Sequence, residues 1–185
     1  MTDVAVAWRR FDKPGHEFCT LARSDTGAKL TGVAVMTSND IPCCVQYTIE
    51  CDKEWRTLVC RIHGYIGTKG ITHDIRREGV RWLMNGVEMP QLDGCEDIDL
   101  GFSPATNLLP IRRLALKVGE SAKVRAAWLR FPELTLELLE QAYTRTSEDS
   151  YRYESGYGKF RRDLKVDANG MVLEYPDLWY AESHT

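Results

Sequence analysis

Apolar and polar residues alternate with a period of two along most of the chain. In PCCVQYTIEC (42–51), Cys43, Val45, Tyr47, Ile49 and Cys51 share one face, while Cys44, Gln46, Thr48 and Glu50 share the other. That alternation predicts a half-buried strand. GKFRRDLKV (158–166) sets Phe160, Arg162, Leu164 and Val166 against Lys159, Arg161, Asp163 and Lys165. Arg162 interrupts the apolar face, so it is expected at a rim or facing a polar lumen. TGVAVM (31–36) and AKVRAAWLRF (122–131) also read as strands, being rich in β-branched and aromatic residues. Turn signals recur at short intervals: Ser24-Asp25-Thr26-Gly27, Glu78-Gly79, Asn85-Gly86, Gly119-Glu120 and Asp167-Ala168-Asn169-Gly170. Many strands punctuated this way predict a mainly β fold, an antiparallel curved sheet forming an incomplete barrel or roll. One or two short helical turns complete it.

Two segments resist the period. In LTLELLEQAY (134–143) the Leu138-Leu139 step breaks the alternation, leaving strand or helical turn open. In PATNLLPIRRL (104–114) Pro110 disfavours helical geometry at Leu109, which predicts a looped or broken element. No linker divides the chain and no 20–50-residue repeat is present, so residues 1–185 are expected to form one domain.

Composition narrows the function classes. With 43% hydrophobic and 28% charged residues, the chain is globular in character, and a net charge of -3 gives no general attraction for nucleic acid. The opening MTDVAVAWRRFDKPG has no basic and apolar leader pattern, and no apolar run is long enough to span a bilayer. The expectation is therefore a cytoplasmic protein without a transmembrane segment. Six cysteines (Cys19, Cys43, Cys44, Cys51, Cys60, Cys95) show no CxxC spacing and no pairing with the four histidines. No metal site or cofactor is expected from them, and the thiols are expected to be reduced and mostly buried. Signatures for phosphate loops, dinucleotides, zinc proteases and serine hydrolases are absent. His63 and His73 stand alone in strand-like runs, and Cys95 beside Gly94 reads better as a small buried residue than as a nucleophile.

The densest polar chemistry lies in GCEDIDLGFSPATNLLPIRRL (94–114). On a strand, Asp97 and Asp99 project from one face, and Arg112 and Arg113 offer forked cationic partners close by. Thr106 or Asn107 is placed to cap a helical turn. Three readings stay open: a salt-bridge brace, a site reading sugar hydroxyls or a phosphate, and catalysis by the carboxylates. Carboxylates at i and i+2 are not the facing pair used in glycoside hydrolysis, so no catalytic residue is assigned. YRYESGY (151–157) places Tyr151, Tyr153 and Tyr157 at alternate positions, expected to share one face as core packing or the lining of an apolar cavity.

LDGCEDIDLGFSPATNLLPIRRL, QAYT (141–144), YRYES (151–155) and LKVDANGMVLEYPDLW (164–179), in that order, resemble the putative glycolipid-binding family of bacterial proteins, formerly a domain of unknown function. The N-terminal half resembles it more loosely, through Trp8, Cys51-Asp52 and Trp55. One departure is visible: the family's usual T-N-T-L-P is here Thr106-Asn107-Leu108-Leu109-Pro110, an apolar chain in place of a hydroxyl. The resemblance implies a curved β-sheet similar to periplasmic lipoprotein carriers, with a concavity able to take an acyl chain.

The reading that follows is a non-enzymatic protein, monomer or homodimer, holding a lipid or glycolipid in the concavity of the sheet. Its expected ligand-binding residues are Asp97, Asp99, Thr106, Asn107, Arg112, Arg113, Tyr151 and Tyr153. The alternatives are an enzyme acting on a sugar or phosphate ester through Asp97, Asp99, Arg112 and Arg113, and an interaction protein in which those residues only brace the fold.

Overall fold

The computed structural model of the protein describes residues 4–185; the first three residues of the stretch read for a leader lie outside them. Strands β1 (Val4–Arg10), β2 (Gly15–Ser24), β3 (Gly27–Ser38), β4 (Ile41–Cys51), β5 (Thr57–Ile66), β6 (Lys69–Glu78), β7 (Arg81–Met84) and β8 (Val87–Glu88) form an antiparallel meander. A 3-10 turn (Pro90–Leu92) leads to β9 (Asp97–Leu100), a second 3-10 turn (Ala105–Asn107) and helix α1 (Leu108–Leu114). The second meander comprises β10 (Ser121–Leu129), β11 (Leu136–Arg145), β12 (Ser150–Ser155), β13 (Phe160–Val166), β14 (Val172–Tyr175) and β15 (Trp179–His184). Pairing of β1 with β15 fuses the two meanders into one sheet that runs from β8 at one edge to β9 at the other.

The alternation read from the sequence sets the inward face. Cys43, Val45, Tyr47, Ile49 and Cys51 are all buried, and Leu164 and Val166 are buried on β13. Arg162 sits at the rim, its Nε donating to the Pro176 carbonyl at 3.2 Å. The Asp25-Thr26, Gly79-Val80 and Asn85-Gly86 steps are the hairpin turns between their strands. The segment 134–143 resolves as strand from Leu136 onward: β11 runs through the Leu138-Leu139 step, burying Leu136, Gln141 and Tyr143.

The sheet does not close into a barrel. The β9 end folds back onto β5 and β7 of the first meander through isolated contacts instead of a ladder. Thr57 N donates to the Glu96 carbonyl at 2.9 Å, Ile98 N donates to Thr57 Oγ1 at 3.0 Å, and Trp82 Nε1 donates to the Cys95 carbonyl at 3.0 Å. Strand β9 is held to β10 in parallel, Asp97 opposite Ala126. A parallel pair cannot be joined by a tight turn and needs a crossover. Here the crossover is the polar signature segment itself.

That crossover is the plug of the roll. Every residue from Phe102 to Ile111 is buried, which is unusual for a connection because its backbone polar groups must find partners away from water. They do so locally: Ser103 N donates to the Leu100 carbonyl at 2.9 Å, Ala105 N to Ser103 Oγ at 3.1 Å, and Leu100 N to Thr106 Oγ1 at 3.3 Å. The expected break at Pro110 does not occur. Pro110 is the third residue of α1, and in a helix's first turn the missing N–H has no intrahelical acceptor to lose. Neither Thr106 nor Asn107 caps a helix end with its side chain, because both are committed elsewhere. Leu108, the departure from the family pattern, is fully buried. It packs where a side chain at Gly170 (φ +91°) would lie, 3.1 Å from Leu108 Cδ1.

Candidate functional site

The residues singled out in the sequence divide among three places. Asp97 is almost fully buried, at 1% exposure, and receives a bidentate fork from Arg113: Nε to Oδ1 at 3.0 Å and Nη2 to Oδ2 at 2.6 Å. The remaining arm of Arg113, Nη1, reaches Glu96 Oε2 at 2.7 Å. Burial still holds the Asp97 carboxyl above its ordinary range, against the opposing pull of Arg113. This group is sealed and lines none of the cavities described below. Thr106 is likewise turned inward, onto β9.

Asp99 stands two residues further along the same face and is only half-buried. Among the described residues no cation forms an ion pair with it. Gln141 Nε2 donates to its Oδ2 at 2.5 Å and is shared with the Tyr153 hydroxyl at 3.1 Å. Desolvation, only partly offset by Gln141, pushes the Asp99 carboxyl up to about 6. It opens onto a cleft of about 350 Å³ whose walls carry Trp128, Tyr153, Phe160, Tyr175 and Trp179, with Ser103 and Asn107 as further polar groups. The aromatic rings brace one another edge to face: Tyr153 lies 5.2 Å from Tyr143, 6.0 Å from Phe160 and 6.1 Å from Tyr175. Asn107 is fixed at the back, accepting from the Tyr143 hydroxyl at 2.9 Å and donating to the Pro104 carbonyl at 3.2 Å. A mostly apolar cleft of a few hundred Å³ with a few convergent polar groups is the usual form of a small-ligand site.

Arg112 and Tyr151 belong to a second, polar pocket of about 260 Å³ shared with Arg145. Successive helical residues point in different directions, so Arg112 lies over the Trp55 ring (5.2 Å) instead of joining Arg113 at the aspartates. The expected tyrosine stripe is broken. Tyr151 and Tyr153 are buried, but β12 ends at Ser155, and Tyr157 stands 89% exposed in the following turn.

One buried ionisable group does not stand out in the sequence. Glu17, on β2, is 2% exposed and accepts at Oε1 from the Tyr47 hydroxyl and from Ser103 Oγ, both at 2.5 Å. Its Oε2 has no hydrogen-bond partner. Desolvation raises its carboxyl to about 8. Gly32 makes room for the Tyr47 ring, since a Cβ at Gly32 would collide with it, and Tyr47 is thereby aimed at Glu17. Ser103 lines the cleft, so Glu17 sits directly behind its wall. The signal was present as a charge in the apolar phase of Glu17-Phe18-Cys19-Thr20-Leu21.

Cys95 is buried and its thiol is pushed up to about 11 by burial, which removes the nucleophile reading. All six cysteines are free and five are buried, Cys44 being half-buried. Among the described residues no group of three or more His, Cys, Asp or Glu is placed to hold a metal ion, and no helix is long and apolar enough to cross a membrane.

The fold and the cleft define a mainly β protein: one large, almost wholly antiparallel sheet not closed into a barrel, with a buried crossover between β9 and β10. The chain belongs to the family described as "Putative glycolipid-binding", whose model matches residues 5–181. Among solved structures it is similar to a DUF1089 family protein from Pseudomonas aeruginosa, with 32% identity and a TM-score of 0.77 over 89% of this chain and 91% of that one. Comparison with curated proteins gives no match.

Proposed function

We propose that the protein is a non-enzymatic binder of an amphiphile, seated in the cleft beside Asp99. The observation that carries this reading is the conjunction, in one cleft, of five aromatic side chains with Asp99, Ser103 and Asn107. Trp128, Phe160, Tyr175 and Trp179 offer apolar and stacking surface, the chemistry that suits an acyl chain or the face of a sugar ring. Asp99, with Gln141 and Tyr153 behind it, accepts hydroxyl hydrogens, and Asn107 and Ser103 supply neutral polar contacts. The family description supports a glycolipid as the ligand class. Of the residues expected from the sequence, Asp99, Asn107 and Tyr153 serve this site. Asp97, Thr106 and Arg113 serve the fold behind it.

The test is native mass spectrometry of protein purified from its own host, then exposed to a host lipid extract. A retained or acquired lipid mass, lost in a Trp128→Ala, Phe160→Ala double variant, is expected. A clean unliganded mass before and after exposure would overturn the proposal.

A second reading, an enzyme acting on a sugar or phosphate ester, is favoured by one observation: the raised carboxyl of Asp99 faces the cleft. It lacks a second carboxylate there, since Asp97 is sealed and Glu17 lies behind Ser103. Turnover of a panel of aryl glycosides and phosphate esters that vanishes in Asp99→Asn would decide for the enzyme.

A further inference from the structure

The polar pocket beside α1 carries chemistry that the aromatic cleft does not use. Arg112 and Arg145 both line it, and neither forms an ion pair among the described residues. Arg112 Nε is buried without a hydrogen-bond partner. Arg145 is rigidly held, donating from Nε to the Ser147 carbonyl at 3.2 Å, from Nη1 to Leu116 at 2.9 Å and from Nη2 to Glu148 at 2.7 Å. These carbonyls orient the guanidinium but supply no compensating charge. Each guanidinium also lies against an aromatic ring, Arg112 over Trp55 at 5.2 Å and Arg145 over Tyr151 at 5.6 Å.

The two carboxylates on the walls form no ion pair with either guanidinium. Asp167 is spent on its own turn, accepting from Asn169 N at 2.9 Å, Met171 N at 2.8 Å and Asn169 Nδ2 at 3.1 Å. Glu148 is exposed; its backbone carbonyl accepts from Arg145, and its carboxylate leaves only a solvent-screened negative charge near the pocket. Gly170 leaves the space that Arg112 occupies: a Cβ there would stand 3.3 Å from Arg112 Cδ. Tyr151 lies within the field of both guanidiniums, which partly offset the upward push of burial on its phenol.

We infer that the pocket between Arg112 and Arg145 is a binding site for a phosphate-class anion, separate from the aromatic cleft. Among the described residues neither guanidinium has a carboxylate at ion-pair distance, both side chains line one small polar space, and guanidinium geometry matches the oxygens of a phosphate monoester. Solvent can satisfy an N–H but cannot cancel the charge. The walls are too polar for an acyl chain. The same chemistry comes from a free phosphate ester or from the headgroup of a phosphorylated lipid. Arg113, one residue on and fully occupied by Asp97 and Glu96, takes no part.

The test follows the Arg Nε–H resonances by NMR in the whole protein, titrated separately with inorganic phosphate and with water-soluble dihexanoyl phosphatidic acid. Saturable shifts at Arg112 and Arg145 are expected, with affinity weakened at least about tenfold in Arg112→Gln. Glu148→Gln, an exposed change that leaves the fold intact, is expected to tighten binding roughly twofold by removing a like charge. Stronger binding of the lipid phosphate assigns the site to a headgroup, and equal binding assigns it to a free phosphate. The inference is overturned by the absence of saturable shifts with both ligands, or by unchanged affinity in Arg112→Gln. Should that variant not fold, weaker or unchanged binding in Glu148→Gln overturns it.

Discussion

Asp97 and Asp99 share a strand, a face and a residue type, yet one is locked and the other is open. Asp97 meets Arg113, a rigid fork delivered by α1, and with it ties the crossover plug to the sheet edge. Asp99 meets only the amide of Gln141 and the cleft. The difference teaches that a charged cluster in a sequence need not be one site. A helix and a strand laid side by side bring one pair into register and leave the neighbouring carboxylate to face whatever space remains.

The comparison is tested most severely at the locked end. Arg113→Ala strands a buried carboxylate, and a loss of about 3–5 kcal/mol in urea unfolding is expected. A loss below 1 kcal/mol would mean that the pair does not brace the plug. Behind the cleft wall, Glu17 carries a carboxyl raised from 4.5 to about 8. The folded state therefore holds this proton more tightly than the unfolded chain. The resulting stability is complete below pH 4.5 and is lost as pH rises through 8. On the order of 3 kcal/mol should disappear from the wild type across that window, and Glu17→Gln should flatten the profile. An unaltered profile in the variant would place the titration elsewhere.

At the open end the same sign holds with a smaller amplitude. Asp99 is raised from 3.8 to about 6, so its contribution is present below pH 3.8 and is lost as pH rises through 6. After discounting for its contact with solvent, about 1–2 kcal/mol is expected to separate wild type from Asp99→Asn at pH 7, the variant being the more stable. A destabilised Asp99→Asn would show that Asp99 is as structural as Asp97. The smallest effect is reserved for Tyr157, exposed in its turn: Tyr157→Ser should change stability by less than about 0.5 kcal/mol and leave lipid uptake untouched. A measurable loss of uptake would restore the three-tyrosine face that the structure breaks.

Much of the fold was legible because the period of two in β4 and β13 is a direct imprint of a half-buried sheet. The plug was harder to read. Local rules treat Pro110 as a breaker wherever it falls in a helical run, and only the position of the helix start shows that it occupies the first turn. The site was half legible. Asp99, Asn107 and Tyr153 were found by their chemistry, but Trp128, Phe160, Tyr175 and Trp179 come together only through the pairings of β10 to β15, which no local pattern specifies. Glu17 was legible in principle, as a lone polar residue in an apolar phase, whereas Gln141 shares its phase with Glu137 and Arg145 and carries no such mark. Reading it requires knowing which face is buried, and a mismatched residue has the same appearance at a rim, as Arg162 demonstrates.

In a closed barrel the bore is fixed by strand number and stagger, so changing its width means re-registering every strand. Here β9 touches the first meander only through isolated contacts, and the run from Phe102 to Ile111 is buried beside it. That run works as a keystone. Changing its bulk is expected to change how much room remains beside Asp99, whose cleft Ser103 and Asn107 of this run line, while the ladders of both meanders stay as they are. Substitutions within ten residues are thus a route to a different bore on an unchanged scaffold.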